Sequence, residues 1–575
     1  MRKLIQITAV FLIIGSCSYE NSAKNNTSEK PVGIVVSVEK YATEIGGQIL
    51  KDGGNAVDAA VAVGFALAVT NPRAGNIGGG GFMVLRLSDG TKTTIDYREK
   101  APLASSRDMY LDSFGEPIEE LSQEGYLSVG VPGSVAGMLY ALDKYGTLPI
   151  SQILHPAYLL AKNGIIVDSL LANSIQEKME LFLKYPSSAK IFLKDSIPYE
   201  IGDTLYQTDL AGTLERIINN GVKGFYDGIT AGYFESTMQK YGGIITKEDL
   251  LSYDPVERKP IIGNYRGFDI ISMPPPSSGG IVMLETLNIL ENFDISGMES
   301  NSLSFINHFA EAAKYAFADR ATYLGDTDYY NVPVTALISK EYALSLSKKI
   351  KKGEVAAAGE INHDNDAFID SLETVLKNES SETTHYSVLD KWGNAVAVTT
   401  TLNSYFGSKV IVEGAGFILN NEMDDFAAKI GSKNLYGLIH GETNTIAPGK
   451  RMLSSMTPTI VEKDGEVVLI TGSPDGSRII STVTQVLINY IDFKMNPTEA
   501  VSTWRIHHQW IPDALIYEEG GLDDKLITRL ESLGYIVEQS IVIGSAQTIG
   551  RHHSTGLMIP APDNRRAGYS AVVSE

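Results

Sequence analysis

The sequence predicts a mixed α and β fold whose strands pair antiparallel. Three observations predict it. Residues 385–389 and 395–402 are rich in β-forming side chains, and the turn residues Asp390-Lys391-Trp392-Gly393-Asn394 between them read as a hairpin connection. Residues 56–69 are apolar almost all round, as a helix buried inside the protein must be. Between about residues 134 and 350, helical stretches alternate with polar turns, and no internal repeat of fixed period appears.

Taken in order, the chain opens with a targeting segment. Arg2 and Lys3 give a positive start, and residues 4–14 are mostly apolar but too few to span a bilayer as a helix. Ile14-Gly15-Ser16-Cys17 resembles a bacterial lipobox, which implies cleavage before Cys17 and acylation of its thiol and new amine. On that reading residues 1–16 are a lipoprotein signal peptide, and several acyl chains make a firm anchor at about 0.8 kcal/mol per buried methylene. Cys17 is the only cysteine, so neither an intramolecular disulfide nor a CxxC site is possible. Residues 17–30 are polar and read as a flexible tether.

The folded part is expected from Pro31. A strand is expected over 32–38 and a helix over 42–50, stopped by Lys51-Asp52-Gly53-Gly54. Asn55 suits the cap of the buried helix, with Asp58 in its first turn, and Asn71-Pro72 ends it. The glycines 78–81 lead into strands expected over 82–87 and 93–97. Further on, a helix is expected over 156–162 with Pro156 at its first position, another near Val282 after Pro274-Pro275-Pro276-Ser277-Ser278-Gly279-Gly280, and a third over 306–323. Residues 351–382 are more polar, and Asn378-Glu379-Ser380-Ser381-Glu382 suits an exposed stretch. Strands at 416–419, 459–462 and 467–471 and a helix at 481–490 complete the pattern.

A chain of 575 residues, 43% of them apolar, can bury a large core. Its net charge of -21 argues against nucleic acid as the main partner, because phosphate backbones are bound by clustered Lys and Arg. No His or Cys cluster has metal-ligand spacing. The adjacent pairs His507-His508 and His552-His553 point apart on a strand or helix and read as structural.

The chemistry centres on Thr383, where the polar stretch meets a strand. A threonine hydroxyl needs a base beside it, and cutting the preceding peptide bond frees the residue's own α-amine, whose reference pKa is about 7.7–8.0. Thr-Thr before a strand is common, so the surroundings carry the weight. Thr383 opens Thr-Thr-His-Tyr-Ser-Val. Then come Thr401-Leu402-Asn403, Asn420-Asn421-Glu422-Met423-Asp424-Asp425-Phe426, Leu453-Ser454-Ser455-Met456-Thr457-Pro458-Thr459 and Gly472-Ser473-Pro474-Asp475-Gly476-Ser477. Upstream stand Gly53-Gly54-Asn55-Ala56-Val57-Asp58-Ala59-Ala60 and Asp96-Tyr97-Arg98-Glu99-Lys100-Ala101-Pro102. This ordered series resembles the γ-glutamyltransferase family of N-terminal-nucleophile hydrolases over nearly all of the chain after residue 30.

The resemblance implies an α+β fold, a four-layer αββα sandwich made jointly by two chains after self-cleavage between Glu382 and Thr383. Residues 31–382 then form the large subunit and 383–575 the small one, a heterodimer from one precursor. It implies Thr383 as nucleophile with Thr401 beside it, and Arg98, Ser454 and Ser455 holding the substrate's α-carboxylate. Asn403, Glu422 and Asp425 would accept from its ammonium. The oxyanion donors fall on the backbone N–H groups of Asp475 and Gly476, where the family has two glycines. Aspartate at the first position is a departure that strains the chain if that site needs a positive φ. Residues 427–450 resemble a lid loop, with Tyr436 matching its tyrosine. The implied substrates are glutathione and other γ-glutamyl compounds, with water, amino acids or peptides as acceptors and no cofactor. An exported, envelope-bound location follows from the lipobox. Two other readings remain open: an acylase for glutaryl-type cephalosporin side chains on the same fold, and a scaffold lipoprotein with impaired catalysis.

Overall fold

The computed structural model describes residues 33–361 and 383–574. The expected signal peptide, tether, Cys17 and Glu382 lie outside the described residues. Among the described residues, two large antiparallel sheets face each other. The first has seven strands in the order Tyr569–Val573, Gly33–Ser37, Thr383–Asp390, Ala395–Thr401, Gly80–Arg86, Lys92–Asp96 and Val256–Arg258. The second has six: Met558–Pro562, Gln547–Arg551, Glu466–Thr471, Thr459–Lys463, Phe268–Ser272 and Ile261–Tyr265.

The period-two alternation of strand side chains builds the layers. In Gly80–Arg86, Phe82 and Val84 join the core that contains Ile460 and Ile470 of the second sheet, whereas Met83 and Leu85 join the core of the helix Ala56–Thr70. Ala395 and Ala397 divide from Val396 and Val398 in the same way. The first sheet is thus covered on its outer side by Ala56–Thr70. The helices Gly279–Leu290, Leu303–Tyr323 and Arg478–Ile491 belong to the core of the second sheet. The result is the αββα order.

Every residue of Ala56–Thr70 is buried. Its N-terminus is closed by Asn55, the cap the sequence predicts, in a capping box in which Asn55 and Asp58 exchange side-chain to backbone bonds. Asp390, in the hairpin turn, adds a carboxylate oxygen 2.9 Å from Ala56 N. The same aspartate accepts from Trp392 N and Asn394 N at 2.9 Å each, so one side chain shapes the turn and docks it on the helix. The helix lies close against the sheet at Gly64, where an added Cβ would meet Tyr386 Oη at 2.8 Å.

Most expected elements form, with longer bounds: Lys40–Lys51, Gly279–Leu290, Leu303–Tyr323 and Arg478–Ile491. Two differ. Pro156 sits inside the helix Ile150–Asn163 rather than at its start. Pro149 supplies the entry to that helix, and the carbonyl left without a donor belongs to exposed Gln152, which water can reach. Residues 416–419 form no strand. Gly414 and Gly416 take φ of 78° and 77° and curl the chain, leaving only single bridges from Ile418 to Ile411 and from Leu419 to Gly78. The small sheet of Ile506–His507, Leu515–Glu518 and Val537–Ser540 was not expected. His507 lies in it and bonds Ser481, while His508 faces Asp513, so this pair is structural.

Asp58 is fully buried and accepts from Asn55 N, Thr147 N, Thr147 Oγ1 and Leu148 N at 2.6–3.1 Å. Asp58→Ala should therefore lower unfolding stability by about 3 kcal/mol, because it strands buried donors. Asp58→Asn should lose less. Urea unfolding of the two variants checks both.

Candidate active site

The antiparallel register pairs Thr383 with Thr401 at the open end of the hairpin. Both are buried, and Thr383 Oγ1 donates to Thr401 Oγ1 across 3.4 Å. Thr401 Oγ1 also accepts from Asn403 N at 2.8 Å, which fixes its position. Asn403 has a φ of 73°, and its side-chain nitrogen donates to Asn421 O at 3.1 Å, so its amide oxygen is the end left to accept. The strand's next histidine is not a base for Thr383. His385 lies between the sheets with Nδ1 2.9 Å from Thr399 Oγ1 and Nε2 3.1 Å from Ser387 Oγ. Burial pushes its pKa down to about 3, so it stays neutral.

Thr383, Thr401, Asn403, Arg98, Glu422, Asp425, Ser454, Ser455, Tyr436 and Gly476 line one cleft. Space for water-sized groups in it is about 20 Å³, room for about one water molecule. Tyr436 closes it. Its hydroxyl donates to Asn403 O at 2.5 Å, and its ring lies so near Gly476 that an added Cβ would meet it at 2.4 Å. The loop carrying Tyr436 is held by Asn434, whose side chain accepts from Tyr436 N and donates to Asp425.

In the charged wall Arg98 and Glu422 are fully buried and Asp425 is mostly so. Arg98 Nη1 lies 2.6 Å from Glu422 Oε2 and Nη2 lies 2.5 Å from Asp425 Oδ2. Its Nε also donates to Met452 O, next to the serine pair. The groups expected to read opposite ends of a zwitterion therefore lie side by side and neutralise one another here. Burial opposes the Arg98 charge, but Glu422, Asp425 and Glu99 outweigh it and raise the pKa. Burial also raises the Glu422 carboxyl well above the usual range, against the pull of Arg98. The short 3₁₀ turn Glu422–Asp425 presents both acids, and Asp424 anchors it by accepting from Ser122 and from Leu435 N.

Ser454 and Ser455 are held from behind. Ser278 donates to Ser454 O through its N–H at 2.7 Å and its hydroxyl at 2.6 Å. Sequence reasoning missed two residues in this wall. Glu99, beside Arg98, is buried and pushed up to about 8 by desolvation. Arg320, on the helix Leu303–Tyr323, is buried and donates to Ser278 Oγ at 3.0 Å and Ser455 Oγ at 3.4 Å. Burial lowers its pKa to about 10. Its helix also buries Asn307, His308, Glu311 and Lys314, so no local sequence signal singles Arg320 out.

Asp475 and Gly476 follow the strand Glu466–Thr471 with φ of 112° and 52°. The left-handed backbone feared at Asp475 is present, at a strain of about 1–3 kcal/mol for a side chain other than glycine. Neither N–H of this pair donates a hydrogen bond among the described residues, and Gly476 lines the cleft. Two adjacent unspent amides beside a hydroxyl can stabilise an oxyanion.

Comparison with known proteins places the chain. A family model described as gamma-glutamyltranspeptidase matches residues 42–573. The glutathione hydrolase proenzyme of Escherichia coli is 50% identical over 518 residues, covering 90% of this chain and 88% of that one. A solved gamma-glutamyltranspeptidase from Helicobacter pylori superposes with a TM-score of 0.57 at 48% identity, covering 59% of this chain and 96% of its own. A cephalosporin acylase from Bacillus halodurans superposes with a TM-score of 0.82 at 26% identity, covering 97% of this chain and 99% of that one.

Proposed function

The chain belongs to the gamma-glutamyltranspeptidase family, and from that premise we propose that it is a self-processing γ-glutamyltransferase and glutathione hydrolase with Thr383 as its nucleophile. The single observation that carries the reading is one cleft holding the Thr383 hydroxyl, the Arg98–Glu422–Asp425 cluster and the Gly476 turn. Self-cleavage between Glu382 and Thr383 yields a large chain ending at Glu382 and a small chain of residues 383–575. The strands Gly33–Ser37 and Thr383–Asp390 are neighbours in one sheet, which supports a heterodimer that stays together.

Cleavage turns the Thr383 nitrogen into an amine. That amine takes the hydroxyl proton as Oγ1 attacks the γ-carbonyl carbon. The oxyanion is held by the N–H groups of Asp475 and Gly476. Collapse breaks the C–N bond, and the proton leaves with the amine product, cysteinylglycine in the case of glutathione. The γ-glutamyl ester on Thr383 is then attacked by water, giving glutamate, or by an amino acid or peptide, giving a new γ-glutamyl amide. Thr401 orients the hydroxyl.

The substrate's carboxylate goes to Arg98, Ser454 and Ser455, and its ammonium to Asp425, Glu422 and Asn403. A zwitterion suits a wall whose own charges already alternate, since each end replaces one protein partner with another. Tyr436 closes the cleft by its bond to Asn403 O and its packing on Gly476, which supports a lid role for residues 427–450. A glutaryl group lacks the ammonium and would leave the Asp425 carboxylate facing no new cation, which disfavours the acylase reading.

Anilide release tests this. A γ-glutamyl anilide should be released faster than a glutaryl anilide, with release abolished in Thr383→Ala. Asp425→Asn should raise KM for the γ-glutamyl compound about 10-fold or more, the worth of one charge-assisted hydrogen bond. Faster release of the glutaryl anilide would instead establish the acylase.

The envelope location rests on Cys17. Cys17→Ser should move the protein from the membrane fraction to the soluble exported fraction and abolish incorporation of labelled fatty acid. Unchanged membrane association would remove the anchor from the account.

A further inference from the structure

The resemblance expects glycine at residue 475, and glycine would adopt a φ of 112° freely. Aspartate holds that angle only if its surroundings over-determine it. They do. Its side chain is buried, Oδ2 accepts from Gly544 N at 2.7 Å, and Oδ1 lies 2.9 Å from Arg566 Nη2. The next amide, Ser545 N, donates to Ser473 Oγ at 2.9 Å. Two consecutive amides of one loop thus dock two side chains of the turn. Gly544 is fixed against the same turn, since a Cβ there would meet Ser473 Oγ at 2.7 Å.

Arg566 sits in the connection between Met558–Pro562, an edge strand of the second sheet, and Tyr569–Val573, an edge strand of the first. Its guanidinium therefore reaches Asp475 from the segment that bridges the two sheets. Burial alone would push the Asp475 carboxyl up. The charges of Arg566 and Arg478 and the Gly544 N–H outweigh it and hold the group below the usual carboxylate range. The carboxylate is ionised, paired and directed at this latch. Asp475 is not among the residues that line the cleft, whereas Gly476 is.

We propose that Asp475 is a positioning residue: the Arg566 and Gly544 contacts to its carboxylate lock the turn so that the Asp475 and Gly476 amides face the reacting carbonyl. This rests on the reading of those amides as the oxyanion donors. The charged side chain, which unpaired would oppose an oxyanion, is here neutralised and turned into the clamp that replaces glycine's freedom.

A coupling experiment tests it, with Arg566→Ala, Asp475→Gly and the double variant, all in the full processed protein. Arg566→Ala should lower kcat for γ-glutamyl anilide about 10-fold or more while KM stays within about twofold, because the loss falls on the transition state. Whatever rate Asp475→Gly sets, adding Arg566→Ala to it should change kcat less than about twofold. Hydrogen exchange of the peptide covering residues 473–479 should quicken in Arg566→Ala but not further in the double variant than in Asp475→Gly. Arg566→Lys, which keeps a cation, should recover part of both readouts and covers the case in which Arg566→Ala fails to fold. Equal effects of Arg566→Ala in the two backgrounds, or no effect in either, would overturn the latch. If the parent protein releases no anilide, the functional reading fails by itself, and the exchange comparison still decides the latch.

Discussion

The antiparallel pairing of Thr383–Asp390 with Ala395–Thr401 is the constraint on which the active site depends. Its register sets Thr383 opposite Thr401 at one end and closes on Asp390 at the other. A slip of one residue would turn every side chain to the opposite face. Thr383 would then exchange its cleft for the core under the buried helix, where Tyr386 and Val388 now pack. Register is held at the turn, where Asp390 bonds its own loop and the helix N-terminus together. The capped helix, the turn and Thr383 are thus joined through one strand.

Around this unit the protein buries an unusual amount of charge. Arg98, Glu99, Glu422 and Arg320 are all removed from water, and Asp425 nearly so. A cluster like this is poor as a stability device, because desolvation offsets most of the attraction. Such a cluster is suited instead to selectivity. A ligand that brings one cation and one anion at the right separation can replace internal pairs, while a ligand with only one of them leaves a buried partner stranded. The same logic governs Asp475, whose strain and charge are both met by partners from the C-terminal segment.

Much of this was legible in the sequence, for physical reasons that differ by element. The buried helix showed itself because nothing polar interrupts residues 56–69, and its cap because Asn55 and Asp58 stand at capping-box spacing. The hairpin showed itself through Asp390 and Gly393. The cleft residues were found by the order of short motifs, not by any one of them. What failed were features set by distant contacts. Pro156 sits inside its helix where the carbonyl it leaves without a donor, that of Gln152, is on an exposed residue, and the 416–419 segment is bent by two glycines that read as ordinary in sequence. The edge strands near the C-terminus, and with them Arg566 as the partner of Asp475, arise from chain segments about 90 residues apart, for which local pattern gives no signal.

The most direct test of the account is intact-mass spectrometry of the purified protein, before and after a rapid acid quench with a γ-glutamyl donor. Two chains are expected, the smaller beginning at Thr383, and in the quenched sample that smaller chain alone should gain one γ-glutamyl group at its N-terminal residue. A single uncut chain that gains nothing, or an acyl group found on any residue other than Thr383, would contradict it.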